Sequence, residues 1–193
     1  MTNKLILTAT GALAHEHRGI ERVVRAIATV GDDIEDGRFV EPAMLADVAA
    51  FLRAFALQCQ KAKEETMLYP LLRAKCMPRP AYLLASLAAE HRKAGSLYKD
   101  FVKNAAIYNS SGGARKSPLA ETLSDLVALY RRHLWKEDNI VLPLAEEVLS
   151  QTELDALYRA FGHVRSAVAL DELATGIERQ SRHQPSHLGE ILI

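Results

Sequence analysis

The sequence offers no excess of charge: 24 basic and 24 acidic side chains cancel. A surface of one sign, of the kind nucleic acids select, is therefore not expected. No uninterrupted apolar run approaches the roughly 20 residues of a membrane-spanning helix, so no membrane partner is expected either. The opening residues fall short of a secretory signal. Their apolar stretch from Leu5 to Ala14 is broken by Thr8, Thr10 and Gly11, with a single lysine, Lys4, ahead of it. Cysteine is scarce, with only Cys59 and Cys76. Placed on one helix, the two would stand about 25 Å apart at the α-helical rise. Disulfide geometry asks for under about 7 Å between Cα atoms. Two unbridged thiols suit a reducing cytoplasm. Alternating strand patterns of useful length are missing as well.

What remains is helical periodicity over 193 residues, of which 49% are apolar, enough for one domain with a sizeable core. The pattern predicts a first helix from about Ala12 to Val30, with Ile20, Val23, Val24, Ile27 and Val30 on one face. Gly31-Asp32-Asp33 is expected to stop it, and a polar loop leads to Glu41. Pro42 suits the first turn of a second helix reaching about Ala74. Met77-Pro78-Arg79-Pro80 breaks the chain before a third helix from about Ala81 to Tyr108. Asn109 to Gly113 reads as a loop. Ser117 and Pro118 read as the cap and first turn of a fourth helix to about Leu149. Ser150 and Glu153 match a capping box opening a fifth, shorter helical region. The expected fold is all-α: four long helices with antiparallel neighbours in a bundle, plus a C-terminal helical region. One domain would span residues 1–180, its core at about 10–150, with a tail over 181–193.

An internal repeat carries the chemistry. Leu13-Ala14-His15-Glu16-His17-Arg18 resembles Leu87-Ala88-Ala89-Glu90-His91-Arg92, offset by 74 residues. Lys63-Glu64-Glu65 with Pro70-Leu71 resembles Lys136-Glu137-Asp138 with Pro143-Leu144, offset by 73. A two-fold repeat of helix pairs would bring His17, Glu64, His91 and Glu137 toward one axis. His133 lies four residues before Glu137, so both can reach one ion from one helix face. Imidazole with carboxylate suits iron or manganese, and imidazole also suits zinc. The repeat asks for a histidine four residues before Glu64, and Gln60 stands there. Gln60 reads as a donor to a bound water, a weak neutral ligand, or filler. The half of the site it serves should hold metal less firmly.

At these residues the chain resembles the hemerythrin-like family, the HHE cation-binding proteins. The marks are Glu16-His17-Arg18, Lys63-Glu64-Glu65 with Leu68-Tyr69-Pro70, and Glu90-His91-Arg92. The most specific is His133-Leu134-Trp135-Lys136-Glu137-Asp138 running on through Val141-Leu142-Pro143. The resemblance covers about residues 10–150. It implies an up-down four-helix bundle around two non-haem irons, or one where the Gln60 half is weak. It makes His17, His91 and His133 terminal ligands and Glu64 and Glu137 bridging carboxylates. Hemerythrin itself has a further histidine one turn after the third-helix ligand. Gly95 occupies that place here, which implies an open coordination position.

The function implied is binding or sensing of dioxygen or nitric oxide, or handling of iron. An enzyme reading, a di-iron oxidoreductase acting on peroxide or nitric oxide, stands beside it, although no further acid–base constellation demands turnover. A third is a four-helix interaction module whose metal site has decayed. Several residues read as structural. His15, two positions from His17, points elsewhere on its helix. Cys59, Met67, Leu68 and Tyr69 read as packing. Glu65 and Asp138 read as outward-facing charges, able to rotate inward to replace a missing donor. His163 reads as structural, and His183 and His187 as tail residues. Pro70 and Pro143, six residues after Glu64 and Glu137, should bend or loosen their helices.

Overall fold

The computed structural model describes residues 8–76, 80–162 and 167–182, and all regular structure among them is helical. The helices are α1 (Ala9–Glu35), α2 (42–76), α3 (Ala81–Ser110), α4 (117–148), α5 (Gln151–Phe161) and α6 (Ala167–Arg182). Helix α1 begins earlier than its periodicity suggests because the Thr8 side chain accepts from the Gly11 amide at 3.0 Å. It also runs through Gly31 and Asp32. Ile34 is fully buried, and buried Asp33 accepts from Arg38 at 2.7 Å. Packing of the last turn thus outweighs the weak helix preference of Gly-Asp-Asp. Pro42 stands in the first turn of α2, as expected. Lys116, not Ser117, occupies the cap position of α4. Helix α3 continues through Ser110, and the turn falls on Gly112 and Gly113, both at positive φ. The capping box at Ser150 and Glu153 is present in both directions.

The fifth helical region is in fact two helices. Helix α6 packs on α1 and on the first turns of α2, burying Ala174 and Ile177. Arg22 of α1 fastens it by hydrogen bonds to Asp171 at 3.1 Å, Thr175 at 2.6 Å and Glu178 at 3.2 Å. The expected break at residues 77–79, His163, His183 and His187, and the Cys76 side chain lie outside the described residues. Cys59 is buried in the core.

Both expected proline effects take one form. The helix widens to a π turn over Glu64–Leu68 and again over Glu137–Val141. In each, the amide just before the proline reaches the glutamate carbonyl five residues back: Tyr69 to Glu64, and Leu142 to Glu137. Proline cannot donate and crowds the carbonyl four residues before it, and a π turn accommodates both faults. A longer π stretch spans Leu52–Cys59.

The apolar interior divides into two clusters. One gathers Ile20 to Ile34, Val40 to Cys59, Ala94 to Tyr108 and Leu119 to Leu134. The other gathers Ala9 and Leu13, Leu68 to Leu72, Leu84 and Leu87, and Val141 to Phe161. By length and composition, Pro42–Lys75 is apolar enough to cross a membrane. Its apolar residues belong to both clusters, however, with buried Gln60, Lys63 and Glu64 between them, the pattern of a core helix. Every long helix changes cluster at a polar position: His17 on α1, Gln60 to Glu64 on α2, His91 on α3, and His133 to Glu137 on α4. A buried polar layer separates the two halves of the core.

Candidate metal centre

His17, Gln60, Glu64, His133 and Glu137 are each no more than 1% exposed, and His91 is 6% exposed. Isolated polar groups are not buried so completely without partners, because desolvation opposes it. Ligand-type atoms of Glu64, His91, His133 and Glu137 lie within 4.8 Å of one another. His17 joins them, with Nε2 at 3.6 Å from Glu64 Oε1 and 3.5 Å from Glu137 Oε2. His91 Nε2 lies 3.1 Å from Glu64 Oε2, and His133 Nε2 lies 3.4 Å from Glu137 Oε2. The rings of His91 and His133 are 4.6 Å apart and tilted by 60°.

None of these inward atoms has a hydrogen-bond partner. The set is Nε2 of His17, His91 and His133, both oxygens of Glu64 and Oε2 of Glu137; both amide atoms of buried Gln60 are likewise without a partner. Buried polar side-chain atoms are normally paired, so a converging group of orphans marks a place for a ligand. The donor types are those that bind divalent transition metals.

The outward nitrogen of each histidine is, by contrast, held. His17 Nδ1 is 2.6 Å from Asp138 Oδ1, His91 Nδ1 is 2.7 Å from Glu65 Oε1, and His133 Nδ1 is 3.1 Å from Glu90 Oε2. A carboxylate on one ring nitrogen keeps the proton there and turns the other nitrogen inward as an acceptor, as metal-binding histidines require. Glu65 and Asp138 are therefore neither outward-facing charges nor substitute donors. Each fixes a histidine on a neighbouring helix. Beyond them, Glu90 also accepts from Lys136, and its repeat counterpart Glu16 accepts from Lys63.

Tyr69, read from the sequence as packing, donates its hydroxyl to Glu137 Oε1 at 2.6 Å. That bond leaves Glu137 presenting Oε2 alone, whereas Glu64 presents both oxygens, Oε1 toward His17 and Oε2 toward His91. The repeat does not supply this asymmetry, because Leu142 occupies the position matching Tyr69. His15 points away from the cluster, 3.3 Å from Asp171. A Cβ built on Gly95 would meet nothing within 4 Å, so that position faces open space.

The electrostatics favour added positive charge. Burial works to lower the pKa of His17, but Asp138, Glu64 and Glu137 outweigh it and raise it to about 10. His91 follows the same balance against Glu64 and Glu65, to about 9. Glu64 is held well below the usual carboxylate range: burial opposes this, but contacts with His17 and His91 prevail. Burial and the charge of Glu64 push Glu137 up to about 7. The carboxylates around His17 and His91 thus favour positive charge at this place, which a bound metal cation would supply.

The Hemerythrin HHE cation binding domain matches residues 8–145 of the chain. This protein belongs to the hemerythrin-like family. No curated protein and no solved structure matches it. The matched residues contain every member of the polar layer, and the family's cation-binding character agrees with the buried His/Glu cluster.

Proposed function

We propose that this hemerythrin-like chain holds non-haem iron between His17, Glu64, His91, His133 and Glu137, and that it binds or senses dioxygen or nitric oxide there. One observation carries the reading. Six orphaned polar atoms of His17, Glu64, His91, His133 and Glu137 converge in the buried interior, while the far nitrogen of each histidine is held by a carboxylate. A decayed site in a plain interaction module would bear that cost with no return, at about 1–3 kcal/mol for each unsatisfied group.

The order of the two apolar clusters reverses from one long helix to the next, which supports an up-down four-helix bundle for α1 to α4, closed into one domain by α5 and α6. With iron bound, the centre supplies a redox-active cation that small diatomic ligands can complete. The protein's own residues do the rest. Glu64 spans the His17 and His91 sides, and Glu137 offers one oxygen toward His17 and His133. Asp138, Glu65 and Glu90 keep the imidazoles turned inward, and the two apolar clusters exclude water. Gln60, buried one turn before Glu64, adds a neutral amide where the repeat calls for imidazole, so one of two metal positions is the weaker. Manganese or zinc could use the same donors. A reducing cytoplasm, in which ferrous iron persists, suits the site.

The test is elemental analysis of anaerobically purified protein together with its optical spectrum. One to two irons per chain, with bands that change on adding oxygen or nitric oxide, is the expected result. Protein that takes up no metal, and whose melting temperature is unmoved by ferrous iron, would refute the proposal, because a ligand of the native state must stabilise it.

A further inference from the structure

The second half of α4 leaves one row of side chains to solvent. Arg131, Trp135, Asn139, Pro143 and Glu147, each four residues from the next, are exposed, while His133, Glu137 and Ala145 between them are buried. Residues four apart drift about 40° around an α-helix. The wider π turn over Glu137–Val141 rotates less per residue and keeps the row on one face. We infer that this row is the seam of a homodimer, in which the α4 helices of two copies cross antiparallel about Asn139.

The charges select a second copy turned end for end. Arg131 and Arg132 stand at one end of the face and Glu146 and Glu147 at the other, all four exposed. Arg131, Arg132 and Glu147 have no ion-pair partner among the described residues. Glu146 is held on one oxygen only, by the Thr10 hydroxyl at 2.8 Å. The face is neutral as a whole but basic at one end and acidic at the other. A partner of uniform sign therefore loses at one end what it gains at the other. A second copy running the same way sets like charges together. Reversed about residue 139, position 131 meets 147 and 132 meets 146, because both pairs are centred there. Opposite charges then meet at both ends, and each contact occurs twice, as a two-fold interface requires.

The same reversal sets position 135 against 143. Trp135 is 60% exposed and Ile140 is 41% exposed. Pro143 forms one wall of an open recess of about 300 Å³ between α3 and α4, with Leu83, Ile140 and Leu144. Helices whose four-residue rows interleave cross at about −50°, which lays the two rows along one line. Each indole then covers Pro143 of the other copy, at the mouth of that recess. Asn139 donates to the Trp135 carbonyl at 2.8 Å, so the residue on the two-fold axis is tied down along its own helix and lets the backbones approach. Two buried indoles flanked by charged pairs give the apolar centre and polar margin of a specific interface. His133 and Glu137 lie on the opposite face of α4, so the seam is independent of metal binding.

Sedimentation velocity of the full chain tests the inference. A seam built on one helix per copy belongs with the small interfaces, and a dimer dissociation constant of roughly 1–100 µM is expected. Trp135 is the only tryptophan, and its emission should move to shorter wavelength as the dimer forms. Trp135→Ala should weaken dimerisation about thirtyfold. Arg131→Glu and Glu147→Arg should each weaken it about tenfold, and the two together should return it to within about threefold of the unsubstituted chain. These side chains are exposed, so circular dichroism should show the same helix content in every variant. Asn139→Cys in a Cys76→Ser chain should form a disulfide dimer with diamide, since the axis brings its two copies within bonding reach. Glu172→Cys, exposed on α6, should not. Four results would each overturn the inference: a monomer throughout that concentration range, dimerisation unaffected by Trp135→Ala, a charge-reversed double variant no better than either single one, or cross-linking no faster at 139 than at 172. A face kept for an unlike protein would give the first of these.

Discussion

Asp138, on the fourth helix, holds the Nδ1 of His17, on the first, at 2.6 Å. The same relationship joins Glu65 on the second helix to His91 on the third, at 2.7 Å. The two pairs are related by the internal repeat, so each half of the chain orients a histidine of the other. Losing a carboxylate that holds the outer nitrogen of a metal-binding histidine typically changes metal affinity by about 10–100-fold. Asp138→Ala is therefore expected to lower affinity for ferrous iron by that factor and leave the helical content of the metal-free chain unchanged. Competition with a chelator measures the first and circular dichroism the second. Unchanged affinity would mean that the contact does not orient His17 for metal.

The positions of the polar layer were legible because a repeat survives reading without coordinates. His17 and His91, Glu64 and Glu137, and the missing partner at Gln60 all follow from two offsets. The roles of Glu65 and Asp138 were not legible, since a carboxylate one residue past an inward one points, on an ideal helix, some 100° away. Each meets a histidine of a neighbouring helix at the start of a π turn; the prolines signal a local distortion there, but which histidine the carboxylate meets is set by how the helices pack. The repeat of Lys63 and Glu65 in Lys136 and Asp138 was the available signal that these charges shared a task. Tyr69 had no such signal, because it lacks a repeat counterpart. Helix α6 was partly hidden, its apolar face being completed only by contact with α1 and α2.

Gln60 tests the asymmetry of the centre. Glu16 stands toward residue 60 in the repeat as Glu90 stands toward His133, so the repeat assigns it the task of orienting an imidazole at that position. Gln60→His should raise the metal content per chain, or tighten the weaker site, when ferrous iron is titrated anaerobically. It should also raise the melting temperature of the loaded protein, because tighter binding to the native state adds stability. Stoichiometry and affinity identical to the unsubstituted chain would argue that position 60 does not face the metal.

Tyr69 tests the unequal roles of the two glutamates. Its hydroxyl occupies Oε1 of Glu137, and burial together with the charges of Glu64 and Glu137 pushes its pKa above the usual phenol range, so it stays a donor. Tyr69→Phe removes one oxygen atom and leaves that carboxylate oxygen buried without a partner. The metal-free chain should lose about 1–3 kcal/mol of stability, measured by urea unfolding. In the cobalt(II)-loaded protein, freeing Oε1 should change the ligand-field bands, which report coordination number. A spectrum superimposable on that of the unsubstituted chain would show that Tyr69 does not restrict how Glu137 binds.

The ion pair of Lys63 and Glu16 is a separate matter of stability. Lys63 is 2% exposed and Glu16 is 5% exposed, and the ammonium group also lies 5.7 Å from the Phe161 ring of α5. Removing one member strands a buried charge, a change that costs about 3–5 kcal/mol, whereas replacing both by apolar residues of similar volume is often neutral or stabilising. Lys63→Met should therefore be strongly destabilising in urea unfolding of the metal-free chain, and Glu16→Leu with Lys63→Met should recover most of the loss. Additive losses in the double variant would show that the two side chains are stabilised independently. Recovery of stability without recovery of metal binding would place the pair's value in arranging the Gln60 side of the centre rather than in holding the fold.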